Sequence, residues 1–201
     1  MTNELLTGLA AFALVTSITP GPNNLMLMAS GANFGFRLTI PHMLGVGLGF
    51  TLMVLLVGIG LVQLFDAYPA SYAILKVVSV AYLLYLSWKI ATAAPLRDES
   101  EDSAARRRPI TFIQAALFQW VNPKAWAMAL TAVSVYSPSQ NLGAVAIVAA
   151  VFGLINLPSV SLWTILGQQM RGLLTNPRRL VAFNISMATL LVASMYPVLA
   201  G

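Results

Sequence analysis

Apolar positions run almost without interruption along this chain, and the polar ones fall in a few short groups that divide it into six long segments. A membrane-crossing helix needs about 20 apolar residues at a rise of about 1.5 Å each. On that measure spans are predicted over 5–32, 39–64, 70–91, 111–136, 142–168 and 180–199. Asp66-Ala67-Tyr68-Pro69 and Ser137-Pro138-Ser139-Gln140-Asn141 read as short turns, and 92–110 as the one long polar loop. Met1-Thr2-Asn3-Glu4 carries no basic residue and no cleavage pattern follows it, so the first apolar run is expected to be a retained span.

Two of these segments are interrupted. Thr19-Pro20-Gly21-Pro22-Asn23-Asn24 lies inside the first, and Asn122-Pro123-Lys124 inside the fourth. Proline removes a backbone donor and clashes with the preceding turn, so neither helix can continue unbroken. Within a bilayer, broken backbone is tolerated only where protein or a water-filled cavity covers it. A single break of this kind reads as a buried kink. Two breaks at the first span of each half point instead to a solute site, because transporters built from inverted repeats place interrupted helices there.

The odd number of spans per half supports that organisation. Three spans return the chain to the opposite face, so the second half enters inverted: repeat one over 1–91, a cytoplasmic loop over 92–110 and repeat two over 111–201. The predicted fold class is thus an all-α integral membrane protein, six transmembrane helices in a 3+3 inverted repeat with broken first and fourth helices. Ala81-Tyr82-Leu83-Leu84-Tyr85-Leu86-Ser87 aligns weakly with Ala188-Thr189-Leu190-Leu191-Val192-Ala193-Ser194.

Composition fits a membrane protein. The 201 residues are 58% hydrophobic and only 8% charged, with a mean hydropathy of +0.80, where soluble domains carry about 25% charged residues. The net charge of +5 is no nucleic-acid signal, because nine of the eleven basic residues lie in or beside loops between apolar spans. Arg37, then Lys89, Arg97 and Arg106 to Arg108, then Arg171, Arg178 and Arg179 follow spans one, three and five. Basic loops stay cytoplasmic, which predicts both termini outside. Cysteine is absent, so there is no disulfide framework and no thiolate site. No metal site or cofactor is expected.

The remaining candidates for chemistry cluster at the breaks. Asn122 suits an N-cap and Pro123 a first helical position, and Gly21 or Thr19 before a proline can do the same. Each half-helix would then offer unpaired N–H groups and a positive dipole end to an anion such as a carboxylate. The carbonyls of Thr16, Ile18 and Gln119 lose their partners four residues on and become available to an ammonium. Both features in one site suit an amino-acid zwitterion. Lys124 lies about 20 Å along its span, a depth at which an ionisable group is by default functional. Lys76 fits two readings equally, a gating or coupling residue and a lysine that snorkels to the outer interface. His42 reads as interfacial, Trp88 and Trp163 as belt residues, Gly45-Val46-Gly47-Leu48-Gly49 as a packing surface, and Asn156-Leu157-Pro158 as a kink, with Asn156 also a lesser candidate for the site.

All six acidic residues, Glu4, Asp66, Asp98, Glu99, Glu101 and Asp102, fall in loops or at span ends. That disfavours a carboxylate proton relay and a cationic cargo. With one histidine and no cysteine, the usual nucleophile–base pairs are lacking as well, so the chain is not read as an enzyme. A small-solute channel built on paired half-helices is the alternative, and assembly into a homo-oligomer stays open.

Taken together, these residues resemble the LysE/RhtB family of bacterial amino-acid exporters. The likeness rests on Thr19-Pro20-Gly21-Pro22-Asn23, on Gly35-Phe36-Arg37 leading into Gly45-Val46-Gly47-Leu48-Gly49, on Leu75-Lys76 with Tyr82-Leu83-Leu84-Tyr85-Leu86, and on Phe118 to Ala125. Asn23-Asn24, Trp88-Lys89-Ile90-Ala91-Thr92 and Gln119-Trp120-Val121-Asn122 look most like its cysteine/O-acetylserine exporter branch. The resemblance implies a carrier in the bacterial cytoplasmic (inner) membrane, exporting small neutral amino acids or derivatives under proton motive force. The residues expected to form its site are Pro20, Gly21, Pro22, Asn23, Asn24, Gln119, Asn122, Pro123 and Lys124, with Lys76 coupling or gating.

Overall fold

The computed structural model describes residues 1–61, 67–68, 70–93, 109–137, 141–194 and 196, without the side chains of 70–73 and 76. The described residues are helical nearly throughout. Helix α1 (Asn3–Ile18) starts at Thr2, whose hydroxyl accepts from the Leu5 N–H at 3.3 Å, and ends where Pro20 removes the next donor. Helix α2 (Pro22–Phe34) begins with Gly21 as cap and Pro22 in the first turn. It stops at Gly35, whose φ of 81° lies in the region that favours glycine and turns the chain into α3 (Phe36–Leu56). A π-helical turn, Val57–Leu61, extends α3.

Helix α4 (Ala70–Ala91) follows the predicted third span closely. The fourth segment is two helices, α5 (Phe112–Val121) and α6 (Pro123–Tyr136). Thr111 and Gln114 start α5 with a reciprocal capping box, and Asn122 starts α6, its side-chain oxygen accepting from the Lys124 N–H at 3.1 Å. Helix α7 (Leu142–Met170), capped by Asn141, runs continuously through Pro158, and α8 (Pro177–Ala193) begins with Asn176 and Pro177.

By length and composition, Phe36–Leu61 and Leu142–Met170 can each cross a membrane, and α1 with α2 can cross as one span bent by 54°. Of the other predicted spans, α4 covers the third, α5 and α6 divide the fourth at Asn122, and α8 (Pro177–Ala193) covers the described start of the sixth. Of the long polar loop, 94–108 lies outside the described residues, and so do Asp66 and the loop's four acidic residues.

Two apolar cores divide the helices lengthwise. Leu9 and Ala13 of α1, Phe50, Met53 and Val54 of α3, Ala125 to Val133 of α6 and Val148 to Phe152 of α7 meet in one. Met26, Leu27 and Ala29 of α2, Met43 and Val46 of α3, Ala115 and Phe118 of α5, Val160 of α7 and Leu191 of α8 meet in the other. Membership changes at 19–21 between α1 and α2, between Val46 and Phe50 in α3, at Asn122 between α5 and α6, and between Phe152 and Val160 in α7, whereas α4 and α8 join only the second core. The buried polar residues Ser17, Asn24, Gln119, Asn122 and Asn156 lie at or beside those positions.

Small residues allow the helices to pack closely. A Cβ on Gly31 would fall on the Thr164 carbonyl, and one on Gly167 on the Met28 carbonyl, so α2 and α7 touch backbone to backbone. Gly45 and Gly49 let α3 approach α5 at Phe112 and Ala116 in the same way, which bears out the glycine run as packing surface.

Candidate functional site

The two breaks face each other. Asn23, in the first turn of α2, and Gln119, at the end of α5, exchange both amide hydrogen bonds: Asn23 Nδ2 donates to Gln119 Oε1 at 2.8 Å, and Gln119 Nε2 to Asn23 Oδ1 at 3.1 Å. Gln119 Nε2 also reaches the Ala115 carbonyl at 2.8 Å. The second bridge runs from a side chain to the backbone. Lys124, in the first turn of α6, donates its Nζ to the Thr19 carbonyl at 2.6 Å. Its stem lies over Gly21, where an added Cβ would be 2.8 Å from Lys124 Cδ. Gly21 itself has extended backbone that any residue adopts, so the close lysine is the reason for a small residue there.

The carbonyls freed by the first break are served by side chains. Asn24 donates to the Ser17 and Thr19 carbonyls at 2.9 and 2.8 Å, and the Trp163 indole to the Ile18 carbonyl at 3.1 Å. At the second break, the Asn122 N–H turns back onto the Gln119 carbonyl at 3.3 Å, and the Trp126 indole meets the Trp120 carbonyl at 2.8 Å. Of the three carbonyls expected to accept an ammonium, Ile18 and Gln119 are already engaged and Thr16 lines the cavity between the breaks, while the Lys124 Nζ lies on Thr19.

Between the breaks is a cavity of about 20 Å³, lined by Thr16, Ser17, Gly21, Asn23, Asn24, Phe50, Asn122, Lys124, Ala125, Met128, Asn156 and Val160. By the same measure one water requires roughly 10–15 Å³. Five of the nine expected site residues line it: Gly21, Asn23, Asn24, Asn122 and Lys124. Gln119 is fully buried behind Asn23. Pro20 is exposed, and Pro22 and Pro123 act as helix starters outside the lining. The side chain of Lys76 lies outside the described residues.

The cavity's neighbours extend the expected set. Asn156, read as part of a kink and as a lesser candidate for the site, is buried beside the cavity on a helix that runs unbroken. Its Nδ2 donates to Ser17 Oγ at 3.2 Å, while its Oδ1 has no hydrogen-bond partner. Trp163 is only half-buried, yet its indole is committed to the Ile18 carbonyl, so it is more than a belt residue. His42 is fully buried near the start of α3, and neither ring nitrogen has a partner among the described residues. Asn156 and Trp163 reach Ser17 and Ile18 at the first break from more than a hundred residues away along the chain, a relationship with no local signal. Among the described residues, no group of three or more histidine, cysteine, aspartate or glutamate side chains is placed to hold a metal.

A polar layer between two apolar cores, closed around paired helix breaks, is the architecture of a membrane protein that handles a polar solute. Comparison with known proteins gives the family: residues 14–196 match the LysE type translocator family, and the chain belongs to it. It is 37% identical over 136 residues, 68% of this chain and 67% of the relative, to the cysteine/O-acetylserine efflux protein of Salmonella typhimurium. It is 30% identical over 194 residues, 96% of each chain, to the protein of the same description from Escherichia coli (strain K12). No solved structure matches it significantly.

Proposed function

We propose that this chain is a secondary transporter that exports a small neutral amino acid or a close derivative, of the cysteine and O-acetylserine kind, from the bacterial cytoplasm. The observation that carries the reading is the convergence of Thr19–Asn24 and Asn122–Lys124 on one cavity, through the Asn23–Gln119 and Lys124–Thr19 contacts. Family membership and the efflux relatives support the same class of cargo. A cavity holding little more than a water supports a carrier that opens in turn to each side over a continuous channel.

In this reading the six spans form a 3+3 inverted repeat with both termini outside, and one repeat rocks against the other about the polar layer. Helix α2 presents its first N–H groups without a side-chain cap, which suits a substrate carboxylate. Asn23, Asn24, Asn122 and Lys124 contact the substrate, Gln119 holds Asn23 in place, Pro20, Pro22 and Pro123 create the breaks, and Lys76 takes part in coupling to the proton motive force. Purified protein in proteoliposomes should move labelled O-acetylserine down an imposed gradient, saturably, and Lys124→Ala and Asn122→Ala should abolish most of that flux. Absence of any amino-acid movement under every gradient would remove the proposal.

A further inference from the structure

The cavity is far smaller than any amino acid, so some lining group must leave before a substrate can bind. Asn23, Asn24 and Asn122 are held by hydrogen bonds to the broken backbone or across it, and Phe50, Ala125, Met128 and Val160 belong to the apolar cores or their rims. Lys124 is different. Its four-carbon stem is flexible, it is only partly buried, and one hydrogen bond, to the Thr19 carbonyl, holds its ammonium.

We propose that Lys124 is a tethered stand-in for the substrate's own ammonium group, held on the Thr19 carbonyl in the empty protein and displaced by the substrate's amino group on binding. This rests on the amino-acid reading given above.

The chemistry of the exchange balances. The incoming ammonium takes the Thr19 carbonyl, and Asn156 Oδ1, buried and unpartnered beside the same cavity, offers it a second acceptor. The released Lys124 ammonium meets the incoming carboxylate near the uncapped first turn of α2. One cation replaces another at the carbonyl, and the displaced one gains a partner it lacked. A simple amine cannot complete the exchange. It would leave two ammonium groups beside one set of acceptors with no anion between them, and like charges at that distance in a protected site repel. A carboxylate without an ammonium can draw Lys124 away but leaves the vacated position on the Thr19 carbonyl and Asn156 Oδ1 without a donor, so it binds poorly. The lysine thereby makes the site select for molecules carrying both groups.

The test is competition against the binding of labelled O-acetylserine to the purified protein, with O-acetylethanolamine as the amine without a carboxylate and N,O-diacetylserine as the carboxylate without an ammonium. In the unaltered protein neither should compete appreciably. In Lys124→Met, which keeps the stem and removes the charge, O-acetylethanolamine should compete about tenfold or more better than before, and O-acetylserine should bind about tenfold or more worse, the size of one charged hydrogen bond. Unchanged amine competition in a folded Lys124→Met overturns the proposal. So does strong competition by N,O-diacetylserine in the unaltered protein, which decides the matter even if the variant fails to fold. Failure of the unaltered protein to move O-acetylserine or any other amino acid would instead count against the transport reading itself.

Discussion

Asn23 and Gln119 stand 96 residues apart and close on each other as a matched amide pair, both hydrogen bonds made, at the point where two broken helices meet. Each side chain occupies the other's donor and acceptor, so neither can be removed without leaving the other short. Gln119 is fully buried, and a buried polar group without its partner costs about 1–3 kcal/mol. Asn23→Leu and Gln119→Leu should each lower the melting temperature of the detergent-purified protein. The double variant should be less destabilised than the two losses added together. Coupling measured this way in membrane proteins runs from about 0.6 to about 1.7 kcal/mol, and strict additivity would mean that the pair does not hold the breaks together.

Gly21→Ala separates the site from the fold. The backbone there is extended and accepts any residue, but the new Cβ would lie 2.8 Å from Lys124 Cδ and 3.1 Å from its Nζ. The lysine must move off the Thr19 carbonyl while the helices stay where they are. Thermal stability should shift by no more than about 0.5 kcal/mol, as for substitutions away from the core, while the apparent affinity for O-acetylserine changes by about tenfold, the size of one charged hydrogen bond. A large loss of stability with unchanged affinity would show that Gly21 serves helix packing and not the lysine.

Gly31 and Gly167 place α2 and α7 in backbone contact, with Cβ positions that coincide with the Thr164 and Met28 carbonyls. A rigid main chain cannot yield as a side chain does. Gly31→Ala and Gly167→Ala should each destabilise by about 1–3 kcal/mol, the usual cost of overpacking, and the double variant by less than the sum, because one separation of the two helices relieves both clashes. Thermal melts of the three variants check this. A loss confined to transport, with normal melting, would show that the contact belongs to a moving interface.

The breaks were legible in the sequence because proline states its own consequence: Pro20, Pro22 and Pro123 end and start helices wherever they stand. The caps Gly21 and Asn122 were legible for the same local reason. What fills the space around them was not. In a soluble protein, apolar periodicity marks the buried face. Here lipid-facing Leu14, Leu48 and Leu154 are as apolar as buried Leu9, Met53 and Phe152, so the pattern does not say which helix meets which. The polar residues within the spans carry that information, yet only as candidates. Asn156 read as part of a proline kink and only as a lesser site candidate, and it sits at the cavity. Trp163 looked like a belt residue and serves the Ile18 carbonyl. Asn33 and Asn184, each buried, pair reciprocally at 2.6 and 2.9 Å across 151 residues and tie α2 to α8, with Asn184 also reaching the Ala93 carbonyl at 3.2 Å. No local spacing connects them.

His42 carries the last prediction. It sits in the second turn of α3, fully buried, and both ring nitrogens lack a hydrogen-bond partner among the described residues. An imidazole in that setting costs the fold the desolvation of two polar atoms, about 1–3 kcal/mol for a group left unpaired, and replacement by an apolar side chain of similar volume removes the cost. His42→Leu should therefore melt at a higher temperature than the unaltered protein, and His42→Ala at a lower one, because the cavity it leaves outweighs the polar atoms it removes. Transport of O-acetylserine by the His42→Leu protein should match the original, since the residue is not among those lining the cavity at the breaks. A drop in stability for His42→Leu would mean that the ring is hydrogen-bonded after all. A stable protein with impaired transport would assign the unpartnered imidazole a part in the carrier's cycle.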